Sequence, residues 1–206
     1  MKTIALIGYS GHAFVTYEIF FSQGQIITAY TDTEEKAFNP YSLKWLGDEN
    51  KESVLEELKA YNYFVSIGDN LLRRKVSIKL INELGVNPEN ALHKSAIISQ
   101  SMNAGHGSMF AARVVINPFV KIGNGVICNT GCIIEHECVI DDYAHIAPGA
   151  VVCGNVSIGE NSFIGAGAVI KQGVNIGKNV IIGAGTLVIK DIDDNKKVVG
   201  NPQRII

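Results

Sequence analysis

The sequence lacks the features that mark membrane-spanning, disulfide-rich or nucleic-acid-binding chains. None of its four cysteines forms a CxxC pair, so a zinc knuckle is not expected. No apolar run approaches the roughly 20 residues that cross a bilayer, and the first one ends at Gly8, too short for a signal peptide. The formal net charge is −2 and no basic stripe stands out, which disfavours binding to nucleic-acid phosphates. We therefore expect a soluble, cytoplasmic protein with reduced thiols.

Glycine and apolar residues are abundant instead. The 206 residues include 21 glycines, about one in ten, and 47% of the chain is hydrophobic. This apolar content excludes an intrinsically disordered chain, which could not offset its ordering entropy without burial. The length fits one large domain or two small ones.

Residues 1–90 alternate between strand-like and helix-like segments. Strands are predicted over Thr3–Gly8, Gln25–Thr31 and Tyr63–Ile67, and helices over His12–Gln23 and Leu71–Leu84. Strands that alternate with helices are typical of a parallel sheet built from βαβ units. We predict an α/β, Rossmann-like domain over residues 1–90.

Residues 91–206 follow a six-residue period. Counting in sixes from Leu92 to Val188 gives seventeen positions, and all of them are apolar. At 47% apolar composition, one fixed register would do this by chance about three times in a million. Hexads of this kind are typical of a parallel β-helix, in which each unit supplies one short strand and one turn. We predict such a domain, of between five and six three-sided coils, over residues 91–206.

The pair His136-Glu137 is the strongest candidate for chemistry. His136 lies two residues beyond the inward Ile134, so its side chain is expected to point outward at a turn. Histidine titrates near neutral pH and can act as a general base, and an adjacent carboxylate can fix its tautomer. The simpler alternative is an exposed surface histidine.

A second group of candidates lies where the predicted strands of the first domain end. The turn Gly8-Tyr9-Ser10-Gly11-His12 joins a strand to a helix, and free amides at a helix N-terminus suit a phosphate. Asp32 follows the second strand, and Asn70 and Arg73 follow a later one, so all face the crevice where open α/β sheets bind ligands. The spacing is not G-x-G-x-x-G, and a plain tight turn is the alternative.

Several motifs together resemble one family. The chain is similar to the PglD/NeuD-like sugar acetyltransferases, a branch of the left-handed β-helix, hexapeptide-repeat acyltransferases. The motifs that carry the resemblance are Ile7-Gly8-Tyr9-Ser10-Gly11-His12, Ile67-Gly68-Asp69-Asn70, Asn129-Thr130-Gly131, Ile134-Glu135-His136-Glu137, His145-Ile146-Ala147-Pro148-Gly149-Ala150 and Gly200-Asn201-Pro202.

The resemblance implies an activity, a cofactor and an assembly. It implies an N-acetyltransferase that uses acetyl-CoA, without a metal, to acetylate the amino group of a nucleotide-linked 4-amino-4,6-dideoxy sugar. It also implies a homotrimer with active sites between subunits. In that scheme His136 is the general base and Glu137 orients it, Asn129 belongs to the substrate site, and His145 lies near the thioester.

Small residues along the coil are expected to leave room for the pantetheine arm of the cofactor. These residues are Gly154, Gly165, Ala166 and Ala184. The nucleotide and the sugar are left open by the sequence.

Three other functions compete with this one. An O-acetyltransferase acting on sialic acid or a related sugar has the same fold and cofactor. A γ-type zinc hydratase would need three converging histidines, and the coil histidines at 93, 106, 136 and 145 have spacings that do not match. A non-catalytic scaffold would use the coil as a trimer core and the first domain as a nucleotide sensor.

Overall fold

The computed structural model describes residues 2–206, and its first part is a four-stranded parallel sheet with three helices. The strand order is β3-β2-β1-β4, and every pairing in this sheet is parallel. The elements are β1 (Ile4–Ile7), α1 (Gly11–Ser22), β2 (Ile27–Thr31), β3 (Lys44–Trp45), α2 (Glu52–Leu58), β4 (Asn62–Val65) and α3 (Asn70–Leu84). This is the Rossmann-like α/β arrangement that the alternating pattern predicts.

The helix and strand ends follow from local chemistry. The Asp69 carboxylate accepts a hydrogen bond from the Leu72 amide at 2.8 Å and caps α3, which ends where Gly85 takes a left-handed φ of 69°. The strand predicted over Thr3–Gly8 ends at Ile7, because Gly8 has a φ of 85° and turns the chain towards α1.

The second part is a left-handed parallel β-helix. Its strands are two residues long and recur every six residues, from β5 (Ala91–Leu92) to β21 (Leu187–Val188). Each pairs in parallel with the strand one coil away, so Cys128 is in register with Ile146, and Ile146 with Ile164. The chain closes with β22 (Lys197–Val199) and β23 (Arg204–Ile205).

The predicted hexad register is confirmed, since every one of the seventeen apolar positions is the second residue of a strand. From Phe110 onward these residues are buried and stack into a continuous core. Leu92 is 38% exposed, because it belongs to the first coil, which has a neighbour on one side only.

The coil is a three-sided prism. We call face 1 the side formed by β5, β8, β11, β14, β17 and β20; face 2 the side formed by β6, β9, β12, β15, β18 and β21; and face 3 the side formed by β7, β10, β13, β16 and β19. The first residue of each strand points outward. On face 1 this outward row is largely covered by the α/β part, as shown by the contact of Thr16 with Met109.

Arg73 holds the two parts of the molecule together. Its side chain is 1% exposed. Its Nε donates to the Gly125 carbonyl at 2.8 Å and its Nη2 to the Tyr143 carbonyl at 2.9 Å, both on the β-helix. The remaining donors bind Ile67 O, Gly68 O and Asn70 Oδ1 on its own side. All five N–H groups of the guanidinium are therefore satisfied by carbonyl oxygens.

None of the helices among residues 2–206 is both long and apolar enough to cross a membrane.

We predict that Arg73→Leu lowers the free energy of unfolding by about 3 kcal/mol or more, because five carbonyl oxygens lose their donor and two of them, on Gly125 and Tyr143, are in buried hydrogen bonds. The neighbouring Arg74→Leu is the control: Arg74 forms a partly exposed ion pair with Glu160 at 3.0 Å, and its loss should cost less than about 1 kcal/mol. Urea unfolding, followed by circular dichroism, measures both. Equal losses in the two variants would contradict the role of Arg73.

Candidate functional site

A crevice opens at the carboxyl ends of β1, β2 and β4, where parallel sheets commonly bind ligands. Its volume is about 730 Å³. It is lined by Gly8, Tyr9, Ser10, Asp32, Thr33, Glu49, Asn50, Ser66, Ile67, Gly68, Asp69, Leu72, Lys75, Val76 and Lys79. At Gly8 a Cβ atom would lie 2.9 Å from Ile67 Cγ1, so glycine is required both for space and for the positive φ.

The amino end of α1 borders this crevice. Ser10 is its N-cap residue and its side chain makes no capping hydrogen bond within the described residues 2–206. Gly11 and His12 begin the helix, so their amides have no carbonyl of the same helix to bind. The end of a 12-residue helix is therefore free to bind an anion.

Asp32 is held in place at the end of β2. Its Oδ2 accepts a hydrogen bond from the Tyr9 amide at 3.0 Å, and its Oδ1 pairs with Lys36 at 3.0 Å. Burial acts to raise the pKa of Asp32, but the Tyr9 amide and Lys36 outweigh it and hold that pKa below its ordinary value. Asp32 is therefore an anionic acceptor at the rim of the crevice.

Two residues expected in the crevice lie elsewhere, and this corrects the sequence analysis. Arg73 has no donor left for a ligand, because two of its donors bind carbonyls of the β-helix and three bind oxygens of its own part of the chain. Asn70 donates to the carbonyls of Asn161 and Ser162 on the β-helix and accepts from Arg73. Both side chains join the α/β part to the coil. Gly8, Ser10 and Asp32 do line the crevice.

His136 and Glu137 lie at the turn between β12 and β13, on the edge shared by faces 2 and 3. His136 Nδ1 is 3.0 Å from Glu137 Oε2, and the His136 side chain is 50% exposed. With a carboxylate at Nδ1, the tautomer that donates from Nδ1 is favoured, and Nε2 is left to accept a proton. Glu137 has a left-handed φ of 60°, uncommon for a non-glycine residue, and this backbone turn directs its carboxylate to His136.

The glycines expected to make room for a cofactor are also required by the packing of the coil itself. A Cβ on Gly154 would lie 2.6 Å from both Cε1 and Nε2 of His136, so Gly154 accommodates the imidazole ring one coil earlier. A Cβ on Gly165 would lie 2.5 Å from the Ala184 nitrogen, so Gly165 permits the stacking of successive coils. Ala166 and Ala184 are exposed at the edge between faces 1 and 2, one coil apart.

Asn129 and His145 form a second polar pair. Asn129 Nδ2 is 3.2 Å from His145 Nε2, and the His145 ring is 8% exposed on face 1, with Phe163 edge-on at 4.9 Å between ring centroids. Burial, followed by the nearby Arg73 and His12, lowers the pKa of His145 to about 3. Burial and Arg73 lower the pKa of His12 to about 4. Both imidazoles are therefore neutral at physiological pH.

One chain keeps the two histidine sites apart. His145 projects from face 1, whereas His136 lies on the edge opposite that face. Asn129, by contrast, lies at the edge between faces 1 and 2. Face 2 is thus bordered by Asn129 along one edge and by His136 along the other.

One wall of the crevice is formed by residues that the sequence alone did not single out. Leu72, Lys75, Val76 and Lys79 of α3 line it, as does Glu49 beyond β3. Their spacing along α3 (i, i+3, i+4, i+7) is the signal that marks one face of a helix. Glu49 carries no such periodic signal. Within residues 2–206, no three His, Cys, Asp or Glu side chains come together in a way that would hold a metal ion.

Two family profiles match the chain. The profile described as the PglD N-terminal domain matches residues 3–80, and the profile of bacterial transferase hexapeptide repeats matches residues 155–190. Together they match one segment of the α/β part and one segment of the coil.

Solved structures match over the whole chain. A mutant of perosamine N-acetyltransferase from Caulobacter crescentus, in complex with CoA and GDP-perosamine, is 33% identical with a TM-score of 0.94, covering 100% of this chain and 97% of that one. The acetyltransferase domain of PglB from Neisseria gonorrhoeae FA1090, in complex with acetyl coenzyme A, is 31% identical with a TM-score of 0.93, covering 100% and 99%.

A curated relative matches over a shorter stretch. GDP-perosamine N-acetyltransferase of Escherichia coli O157:H7 is 36% identical over 105 residues, which is 51% of this chain. The match covers 47% of that protein, so the chain aligns with about half of its length.

We predict that Gly154→Ala displaces the His136 ring from Glu137 while the fold is retained, because the added methyl group would overlap a ring that is half-exposed and free to swing outward. Long-range ¹H–¹⁵N NMR spectra of the histidine rings measure the change. Gly11→Ala is the control, since a Cβ there meets nothing within 4 Å. Unchanged His136 ring signals in Gly154→Ala would contradict the prediction.

Proposed function

Because this chain belongs to the PglD/NeuD-like family of left-handed β-helix sugar acetyltransferases, which are acyltransferases, we propose that it transfers the acetyl group of acetyl-CoA to the amino group of a nucleotide-linked amino sugar. We propose a 4-amino-4,6-dideoxy sugar as the acceptor. The perosamine N-acetyltransferase structure is a complex with CoA and GDP-perosamine, and the gonococcal domain is a complex with acetyl coenzyme A. These complexes support acetyl-CoA as the donor and a nucleotide-linked amino sugar as the acceptor.

The His136–Glu137 pair carries the proposal. The sugar amine attacks the thioester carbonyl directly, so a C–N bond forms and the C–S bond to CoA breaks. His136 accepts the amine proton at Nε2, and that proton can pass to the departing thiolate. Glu137, 3.0 Å from Nδ1, holds the ring in the tautomer that leaves Nε2 free to accept a proton. No covalent intermediate with the enzyme is needed, because the thioester is already activated.

The crevice suits the nucleotide. The amino end of α1 at Ser10, Gly11 and His12 would bind the phosphates, since free amides and the helix dipole favour anions. Asp32, anionic at the rim, would accept a hydrogen bond from the ribose or the base. The cofactor is assigned to the edge between faces 1 and 2, where Asn129, Ala166 and Ala184 lie and which His145 approaches from face 1 through its contact with Asn129. A neutral His145 beside an amide is a polar, uncharged partner for a thioester.

The outward rows of the coil support a homotrimer with sites between subunits. On face 2 every outward residue is apolar, namely Ile97, Val115, Ile133, Val151, Val169 and Leu187. On face 3 most are polar, namely Asn103, Lys121, Ser157 and Asn175, with Val139 the exception. An apolar ladder on an uncovered face favours burial against another subunit. An interface along face 2 would bring the His136 edge of one chain towards the Asn129 edge of its neighbour.

A cytoplasmic location is part of the proposal. Acetyl-CoA and nucleotide-linked sugars are cytoplasmic metabolites, and all four cysteines are free thiols.

We predict that the protein acetylates nucleotide-linked 4-amino-4,6-dideoxy sugars and that His136→Ala lowers kcat by about 10²- to 10⁴-fold, because the general base is lost. Thiol release from acetyl-CoA measures the rate, and mass spectrometry identifies the product. His93→Ala, a change at a coil histidine remote from this turn, is the control.

Three results would each contradict part of this proposal. Turnover of free sialic acid but of no amino sugar would indicate the O-acetyltransferase instead. Full activity of a correctly folded His136→Ala variant would exclude His136 as the base. Absence of any acetyl transfer by the unmodified protein would favour the scaffold.

We predict that Ile133→Glu on face 2 dissociates the trimer, because a buried, unpaired carboxylate is strongly unfavourable at an apolar interface. Val139→Glu, at the equivalent outward position of face 3, should leave the trimer intact. Light scattering coupled to size-exclusion chromatography measures the mass. If the sites lie between subunits, acetyl transfer falls together with the trimer in Ile133→Glu. A protein that is monomeric before any substitution would refute the assembly.

A further inference from the structure

Glu49 is a buried carboxylate without a partner in the wall of the crevice. Its side chain is 9% exposed, and its Oε2 atom is buried and makes no hydrogen bond within residues 2–206. In the same part of the chain, none of the ion pairs within 4 Å involves this carboxylate. Leaving such a group unpaired is costly, so its presence in a ligand cavity indicates a ligand that supplies the missing donors.

The backbone around Glu49 is fixed by α3. Lys79 Nζ donates to the Glu49 carbonyl at 3.0 Å and to Asn50 Oδ1 at 2.7 Å. This lysine therefore binds the main chain and leaves the carboxylate free. The contact sets the position of Glu49 before any ligand arrives, which is what a specificity residue needs.

Glu49 lines the same crevice as the glycine turn at Gly8, Tyr9 and Ser10. Leu72, Val76 and Lys79 of α3 line it as well, and Lys79 is the residue that binds the main chain of Glu49. Seven residues of α-helix span about 10 Å, which is about the distance between the phosphates and the base edge of a nucleotide. With the phosphates at Ser10, the base would lie at Glu49, and Leu72 and Val76 provide apolar surface for a flat ring.

We propose that the crevice selects a guanine nucleotide and that the Glu49 carboxylate accepts hydrogen bonds from guanine N1–H and the 2-amino group. This inference rests on the proposed function, which assigns the crevice to a nucleotide. Guanine presents two adjacent donors on its Watson–Crick edge, which match the two oxygens of a carboxylate. Uracil and thymine present one donor between two carbonyl acceptors on the same edge. Adenine and cytosine present a donor next to an acceptor. In all four bases an acceptor lone pair would therefore face one oxygen of the carboxylate and repel it.

Calorimetric titration of the intact protein with nucleoside diphosphates tests the base directly. GDP should bind about 10- to 100-fold more tightly than UDP, dTDP or ADP, which is the discrimination expected from one bidentate pair. Inosine diphosphate keeps N1–H but lacks the 2-amino group, so it should bind about tenfold more weakly than GDP. This comparison needs no variant. Equal affinities for GDP and inosine diphosphate would overturn the pairing.

The variant Glu49→Gln tests the residue. Its affinity for GDP should fall about 10- to 100-fold, because the new amide NH₂ would face a guanine donor. Its affinity for UDP should change little, because uracil does not present two adjacent donors to this residue. Glu52→Gln, an exposed change at the start of α2, is the control. Loss of affinity for GDP and UDP alike would indicate a carboxylate that binds the ribose, and would overturn the proposal.

The outcomes separate this inference from the proposed function. UDP or dTDP bound as tightly as GDP, together with normal acetyl transfer to a sugar linked to that nucleotide, would refute guanine selection and leave the acetyltransferase standing. Failure to bind any nucleoside diphosphate would refute both.

Discussion

The guanidinium of Arg73 fixes the α/β part on the β-helix, and the geometry of the ligand crevice depends on it. Burial lowers the pKa of Arg73 to about 10, so the group stays charged at neutral pH. No carboxylate pairs with it among residues 2–206; five carbonyl oxygens replace its water instead. Two of these, on Ile67 and Gly68, belong to the crevice wall. The residue that joins the two parts therefore also holds part of the crevice wall in place.

The β-helix distributes its polar residues over edges rather than gathering them in one pocket. The His136–Glu137 pair occupies one edge and Asn129 another, with an apolar face between them. A regular coil cannot fold one edge onto another, because its inner rows of aliphatic side chains are closely packed. Chemistry that needs both edges therefore requires a second chain, and the apolar outward row of face 2 is suited to contact it.

The six-residue period predicted which residue of each strand points inward, because every inward position must be apolar and a polar residue in that register would interrupt the pattern. The sequence predicted the roles of Arg73 and Asn70 wrongly, since a polar side chain after a strand looks the same whether it meets a ligand or another part of the chain. The sequence could not show why position 154 needs glycine, because the need comes from the His136 ring one coil away. The place of Glu49 in the crevice could not be predicted, because a single acidic residue in a loop carries no periodic signal.

The stacking of Gly154 on His136 has a consequence for how such a coil can diversify. Residues at the same turn position in successive coils are neighbours in space, so the bulk tolerated in one coil depends on the residue of the next. A coil with a histidine ring at this turn needs a glycine one coil above it, whereas a coil without the ring has room for a side chain there. The residue type allowed at position 154 therefore depends on whether the turn one coil earlier carries the histidine ring.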